Sequence, residues 1–274
     1  MSMKESNVEL SIESIIERDV LSEEGIRFYL PKDLKELPIE VLKSVSSTNI
    51  YAKKCAEERA ERMLVLAEEQ TEGRGRRGRS FYSPYGTGLY MSLLMKVERS
   101  LAQFVPITVA AAVAVTRAVT KLSGKEAKIK WVNDIYLDNK KICGILAEAV
   151  SDAKSGMLTA VVVGIGVNVF TENYPEDIKD KAGSLLPGAL TRNELAAEIT
   201  KELLGFSKNL NAPELMEEYR RKSMVIGEEI YWMEKEIRKE GRAIGINESG
   251  NLIVETKEGK VILSAGEISV RKSC

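Results

Sequence analysis

Histidine is absent from the chain. That removes Ser-His and Cys-His nucleophile pairs and the commonest zinc ligand sets, so catalysis must run on carboxylates, lysine, arginine, backbone donors or a bound divalent ion. Cysteine is scarce: Cys55, Cys143 and Cys274 are the only 3, with no CxxC pair or metal-ligand spacing, which fits free thiols in a reducing cytoplasm. Net charge is nearly absent, at −1, so no overall field draws the chain to nucleic acid or an acidic membrane. Any basic function is therefore local. Long apolar runs are missing too. No window reaches the ~18 uninterrupted apolar residues of a membrane span. The opening Met1-Ser2-Met3-Lys4-Glu5-Ser6 lacks the basic region and apolar run of a signal peptide. The expected location is cytoplasmic.

What is present is a globular composition: 274 residues, 44% hydrophobic and 30% charged, enough for two domains or one large domain with an appendage. Residues 1–37 are mixed and charged, with helical spacing from Val8 to Ile16 and a short helix near Glu23–Leu30. Residues 38–222 alternate strand and helix patterns. Strands are expected at Ile39–Val45, Met63–Glu68, Gly88–Val97, Lys128–Val132, Ile135–Leu137, Lys141–Val150 and Met157–Val169. Helices are expected at Thr48–Glu61, Ile107–Leu122, Arg192–Leu210 and Pro213–Lys222. Asp138-Asn139 is a turn signal, and Asn133-Asp134 reads as a strand end. Residues 223–274 change to short runs, Ile230–Met233, Arg242–Ile246, Leu252–Glu255 and Val261–Leu263, broken by polar turns. The fold class expected is α+β: a mixed sheet layered with helices, plus a small C-terminal β-barrel docked on it.

The densest chemistry is Gly73-Arg74-Gly75-Arg76-Arg77-Gly78-Arg79. Its glycines imitate a dinucleotide fingerprint, but no helix follows to hold a pyrophosphate; Ser80-Phe81-Tyr82-Ser83-Pro84 is loop sequence. Arginine grips carboxylate and phosphate through paired donors, and glycine lets backbone approach a ligand closely. Alone, the segment reads equally as an anion-binding loop, a solvated turn or an RNA-binding Arg-Gly stretch. Lys141 beside Lys140 reads alone as a solvated pair at a turn, and Ser46-Ser47-Thr48-Asn49 as a helix cap.

The ordered set around the loop narrows this. Ser46-Ser47-Thr48-Asn49 and Gln70 precede it, and Ser83-Pro84-Tyr85-Gly86 follows it. Further on come Lys130-Trp131-Val132-Asn133-Asp134, Lys141-Ile142-Cys143-Gly144, Gly164-Ile165-Gly166-Val167-Asn168 and Gly266-Glu267-Ile268-Ser269-Val270-Arg271. Over roughly residues 40–274 this resembles the biotin–protein ligase family. The resemblance implies a class II synthetase-like catalytic domain with an SH3-like barrel. It also implies ATP-driven activation of biotin to biotinyl-5′-AMP, and transfer to a lysine of a biotin carboxyl carrier protein domain.

The resemblance also implies site residues. Ser47, Thr48, Asn49, Gln70, Gly73, Arg74, Gly75, Arg76, Lys141 and Gly144 would bind biotin, with Gly144 giving it room. Arg76, Arg79, Asn133, Asp134 and Asn168 would bind ATP. Lys141, Arg76 and Asp134 would be catalytic: Lys141 at the activated carboxylate, Arg76 retaining the adenylate, and Asp134 near ATP-carried Mg²⁺ or the attacking amine. No metal site on the protein itself is implied. Two departures stand out: Phe81-Tyr82 replaces a usual tryptophan, and Val132 a usual proline. Phe81, Tyr82 or Trp131 could therefore supply the aromatic cover. The resemblance, with no basic recognition helix visible near the start, implies a single-function ligase without DNA binding, monomeric or homodimeric. Sequence-specific operator binding in a gel shift would oppose that. The nearest alternatives are a lipoate–protein ligase-like acyl-adenylate transferase and, outside enzymes, an RNA-binding protein using the Arg-Gly loop. The net charge of −1 and 6% aromatics weigh against the second.

Overall fold

The computed structural model describes residues 19–58, 62–96, 104–151, 157–185, 190–264 and 266–270. The helix expected over residues 8–16, and Arg271 and Cys274, lie outside them.

The larger sheet has seven strands: β1 (Ile39–Leu42), β2 (Arg62–Ala67), β3 (Gly88–Lys96), β4 (Lys128–Lys130), β5 (Asp134–Leu137), β6 (Lys140–Ser151) and β7 (Leu158–Asn168). Their order is β1-β2-β3-β7-β6-β5-β4. Only β1 and β2 are parallel; every other neighbour is antiparallel. The central strands are buried nearly throughout, which explains the apolar run of β3, broken only by Ser92, and the β-branched run of β7.

The two faces of this sheet carry different residues. Cross-strand partners share a face. Leu89 pairs with Val167 and Met91 with Ile165; Cys143 pairs with Val167 and Ile145 with Ile165. These meet the Ala- and Val-rich helix α3 (Phe104–Ser123), backed by α4 (Arg192–Ser207) and α5 (Pro213–Lys222), in the main core. Burying one such aliphatic side chain contributes about 1.5–3 kcal/mol. On the opposite parity lie Tyr90, Ser92, Gly144, Gly164 and Gly166. There α2 (Thr48–Glu57) packs, and the site forms.

The short helix α1 (Glu23–Tyr29), capped by the Ser22 hydroxyl, packs through Ile26 into the same core. Arg192, 1% exposed, ties this segment down: it binds Asp19 and Glu68, and its guanidinium also donates to Gly88 O at 3.2 Å. Asp19 accepts from the Arg192 N–H at 2.9 Å, while Glu68 accepts from Leu21 N–H at 3.0 Å. Burial pushes the Asp19 carboxyl above the usual carboxylate range, against the pull of Arg192.

The second sheet is antiparallel, in the order β11 (Gly259–Leu263), β10 (Leu252–Thr256), β9 (Ile237–Ile246), β8 (Glu229–Glu234), β12 (Ile268–Val270). Ile230, Trp232, Leu252 and Val254 join the apolar core of the larger sheet. The buried Trp131 indole donates to Gly250 O at 2.9 Å, fixing the two sheets to each other. Met224 N–H donates to Ile129 O at 2.9 Å, covering the outer edge of β4.

Several boundaries shift from expectation. The first strand ends at Leu42, and Val45 makes only an isolated bridge to Gln70. The helix from Thr48 ends at Glu57. Strand β9 begins at Ile237, after a turn with Lys235 and Glu236 both at positive φ that Gly- and Asn-based turn signals miss. Asn133-Asp134 does not end a strand: β4 stops at Lys130, Trp131 to Asn133 form the turn, and Asp134 opens β5. The bond between Trp131 and Val132 is cis. The Asp138-Asn139 turn forms, with both residues at positive φ. No helix among the described residues is long and apolar enough to cross a membrane.

Candidate functional site

The site's floor is made of absent side chains. Gly144 of β6 pairs with Gly166 of β7, and Gly164 lies one step along on the same face. A Cβ on Gly166 would come 2.5 Å from the Phe81 ring, and one on Gly144 3.3 Å from it. A Cβ on Gly164 would come 2.2 Å from Asn49 Oδ1. Glycine is thus required at 164 and 166 by neighbours that lie on the strand backbone.

At one end, α2 starts at Ser47, which is buried and extended, with no side-chain capping bond. Thr48 donates twice to Gln70 Oε1, from N at 2.9 Å and from its hydroxyl at 3.0 Å. Gln70 Nε2 then donates to Ser83 Oγ at 3.0 Å, and Ser83 Oγ to Phe81 O at 3.0 Å. Ser92, fully buried, has its hydroxyl 2.8 Å from Thr48 Oγ1 and 2.6 Å from Asn49 Oδ1. Asn49 Nδ2 donates to Leu146 O at 3.2 Å and to Glu148 Oε2 at 2.7 Å. Lys53 closes the chain as a partner of the same carboxylate at 2.5 Å. Each polar atom of the Asn49 side chain is therefore engaged within the fold, which makes it a support more than a free ligand group.

Above the floor stands the arginine–glycine segment, which is a small hairpin. Arg74 bridges Ser80, Gly75 N–H donates to Arg79 O at 2.7 Å, and a 3-10 turn spans Arg76–Gly78. Arg77 and Gly78 both adopt positive φ to close it. At its base Gly73 lies where a Cβ would come 2.3 Å from Phe81 O, so the two legs of the hairpin can meet there only at glycine. Phe81 N–H donates to Gly73 O at 2.8 Å. This geometry turns Phe81 inward over the glycine floor. Tyr82 points outward toward Tyr174, with ring centroids 6.3 Å apart. Trp131 serves the contact between sheets instead, so among the three aromatic candidates Phe81 covers the floor.

At the other end lies a charged group. Lys141 Nζ pairs with Asp134 Oδ1 at 2.7 Å. Arg76 Nη1 donates to Asn133 Oδ1 at 3.1 Å, while Asn133 Nδ2 donates to Ile145 O at 2.8 Å. Asn133 thereby holds Arg76 against the sheet. Burial lowers the Arg76 pKa, with neighbouring Arg77 adding to the effect and Asp134 opposing it. Lys130, on β4 opposite Asp134, is half-buried and also has a lowered pKa from burial. Asn168 Nδ2 donates to Gly183 O at 3.0 Å, joining the end of β7 to the segment that bridges Lys141 at Ala182.

The structure thus gathers Thr48, Gln70, Gly144, Arg76, Asn133, Asp134 and Lys141 around one floor. It does not gather every expected residue. Arg74 and Arg79 are exposed, and Arg79 pairs with Glu267 of the smaller sheet. Sequence reasoning missed Ser92 and Glu148, and gave no role to Ser83 or Lys130. Ser92 and Glu148 carried a signal: polar residues in apolar strands, on the same parity as Tyr90 and as Gly144 and Leu146. Among the described residues no group of three or more His, Cys, Asp or Glu could hold a metal ion.

Comparison with known proteins finds matches for both parts of the chain. The Biotin/lipoate A/B protein ligase family profile matches residues 41–168. The biotin protein ligase C-terminal domain profile matches residues 233–271. The bifunctional ligase/repressor BirA of Bacillus subtilis is 34% identical over 258 residues, covering 89% of this chain and 78% of that protein. The biotin–[acetyl-CoA-carboxylase] ligase of Mycobacterium tuberculosis is 29% identical over 250 residues, covering 84% and 88%. A biotin protein ligase from Aquifex aeolicus, solved in complex with biotin and ATP, aligns at a TM-score of 0.71 and 28% identity, covering 86% of this chain and 99% of that one.

Proposed function

The chain belongs to the biotin/lipoate A/B protein ligase family, and from that premise we propose that it is a biotin–protein ligase. In the first step a biotin carboxylate oxygen bonds to the α-phosphorus of ATP, the bond to the bridging oxygen breaks, and pyrophosphate leaves with the electron pair. In the second, the amine of a carrier-protein lysine attacks the acyl carbon, AMP leaves, and the amine loses a proton. The acceptor is the biotin carboxyl carrier domain of a biotin-dependent carboxylase.

One observation supports the reading above all: a side-chain-free floor lies between a neutral polar group and a cationic one, under an aromatic lid. Biotin has this polarity, with an uncharged ureido ring at one end and a carboxylate at the other. Thr48 and Gln70, bonded to each other at the start of α2, face the ring. Asn49 holds that end in shape. Gly144 and Gly166 bare the strand backbone where the Phe81 ring lies, so that ring lifts to admit the apolar body and then covers it, while Gly164 makes way for Asn49. Gly73 and Gly75 set the hairpin that carries Arg74 and Arg76.

The first step brings two anions together, which Arg76 and Lys141 make tolerable in a half-buried setting. Asp134 orients Lys141 through their ion pair. Asn133 and Asn168 line the nucleotide side. Arg76 and the hairpin keep water from the adenylate, whose mixed anhydride hydrolyses readily. Asp134 is also the carboxylate that would share Mg²⁺ arriving with ATP. Bound there, the ion would neutralise triphosphate charge.

The test is pyrophosphate release from ATP with biotin or lipoate, followed by label transfer to a carrier domain. Release with biotin and biotinylation of one carrier lysine are expected. Release with lipoate alone would refute the assignment.

A further inference from the structure

We infer that Lys130 binds the departing pyrophosphate in the adenylation step. The inference rests on the biotin–ligase reading above. It follows from position across the sheet. Gly166, Gly144, Asp134 and Lys130 are successive cross-strand partners on β7, β6, β5 and β4, so they form one row on the site face. The glycines are the floor for the apolar substrate. Asp134, with Lys141 bound to it, marks where carboxylate and α-phosphate meet. Lys130 lies one strand beyond, on the side away from the floor.

Its surroundings suit a polyanion. The ammonium sits 5.4 Å from the Tyr136 ring centroid, and no described carboxylate forms an ion pair with it. Nearby charges are Asp134, Lys141 and, more distantly, Glu267. Two lysines therefore share one close carboxylate, Asp134. Burial without a dedicated counter-ion lowers the Lys130 pKa, and such a cation gains most from an arriving anion. When the carboxylate oxygen bonds to the α-phosphorus, negative charge grows on the β-phosphate oxygen whose bond breaks. A cation beyond the reacting centre, opposite the incoming carboxylate, stabilises that charge.

The experiment separates the two half-reactions. With Lys130→Met, pyrophosphate release at saturating biotin should fall about tenfold to a hundredfold. Transfer from supplied biotinyl-5′-AMP to the carrier domain should stay within about twofold of the parent. Lys130→Arg should recover most of the release. Should Lys130→Met fail to fold, Lys130→Gln carries the same two readouts. Unchanged release, or equal loss in both half-reactions, would overturn the inference. Failure of the unaltered protein to release pyrophosphate with biotin would instead overturn the ligase reading itself.

Discussion

The Phe81 ring lies against the bare backbone of Gly166, so closely that a Cβ there would come 2.5 Å from its Cε1 atom. One side chain closes the site, and one missing side chain admits it. Gly166→Ala should therefore displace the ring and raise the KM for biotin by at least about tenfold. Gly144→Ala, where the same ring is 3.3 Å away, should have a smaller effect. Steady-state kinetics with biotin varied would test the order; equal effects would contradict the geometry.

Arg76 and Lys141 should separate by step. Lys141→Ala removes the cation paired with Asp134 and should slow adenylate formation about a hundredfold. Arg76→Gly should loosen the hairpin from Asn133, let biotinyl-5′-AMP escape, and label lysines of a bystander protein. Mass spectrometry of that bystander would detect it. Carrier-restricted labelling by Arg76→Gly would contradict its retaining role.

The Asp19–Arg192–Glu68 group yields a pH prediction. The folded Asp19 carboxyl titrates above its ordinary value of 3.8, so between the two values the folded chain holds the extra proton. Its contribution to stability is greatest below that window and falls as pH rises through it. Asp19→Asn mimics the protonated form, so its unfolding temperature should gain on the parent's as pH rises out of the acid range. Arg192→Met strands two buried carboxylates and should cost about 3–5 kcal/mol at neutral pH. Denaturant titrations across pH test both.

Trp131→Phe keeps the ring bulk but leaves Gly250 O without its indole donor. A cost of about 1–3 kcal/mol is expected, read in thermal unfolding. Adenylation of biotin by the folded fraction should be little changed, because Trp131 does not face the floor.

Much of this was legible in sequence because apolar strand runs, helix caps and turn pairs are local signals. The helix start at Thr48 and the Asp138-Asn139 turn are examples. The short turn from Trp131 to Asn133 was not legible, since β4 and β5 read as apolar stretches on either side of a polar pair. Nor was the order within the arginine–glycine segment. Its hairpin depends on a backbone approach between Gly73 and Phe81 that no residue type announces. Arg79 was expected at phosphate and meets Glu267, a partner 188 residues away that charge patterning cannot select. Glu148 was missed because its purpose is to hold Asn49, a contact made only once β6 lies beneath α2.

The paired glycines have one more consequence. Along β7, Gly164 and Gly166 alternate with Val163, Ile165 and Val167, and on β6 Gly144 stands between Cys143 and Ile145, so the floor exists on one parity alone. Were β6 and β7 to present their other parity, Ile145, Ile165 and Val167 would turn into the cleft and the glycines into the core. The volume open to a ligand is thus decided by even and odd counting along two strands. Insertions of two residues could lengthen the cleft, whereas a single insertion would fill it.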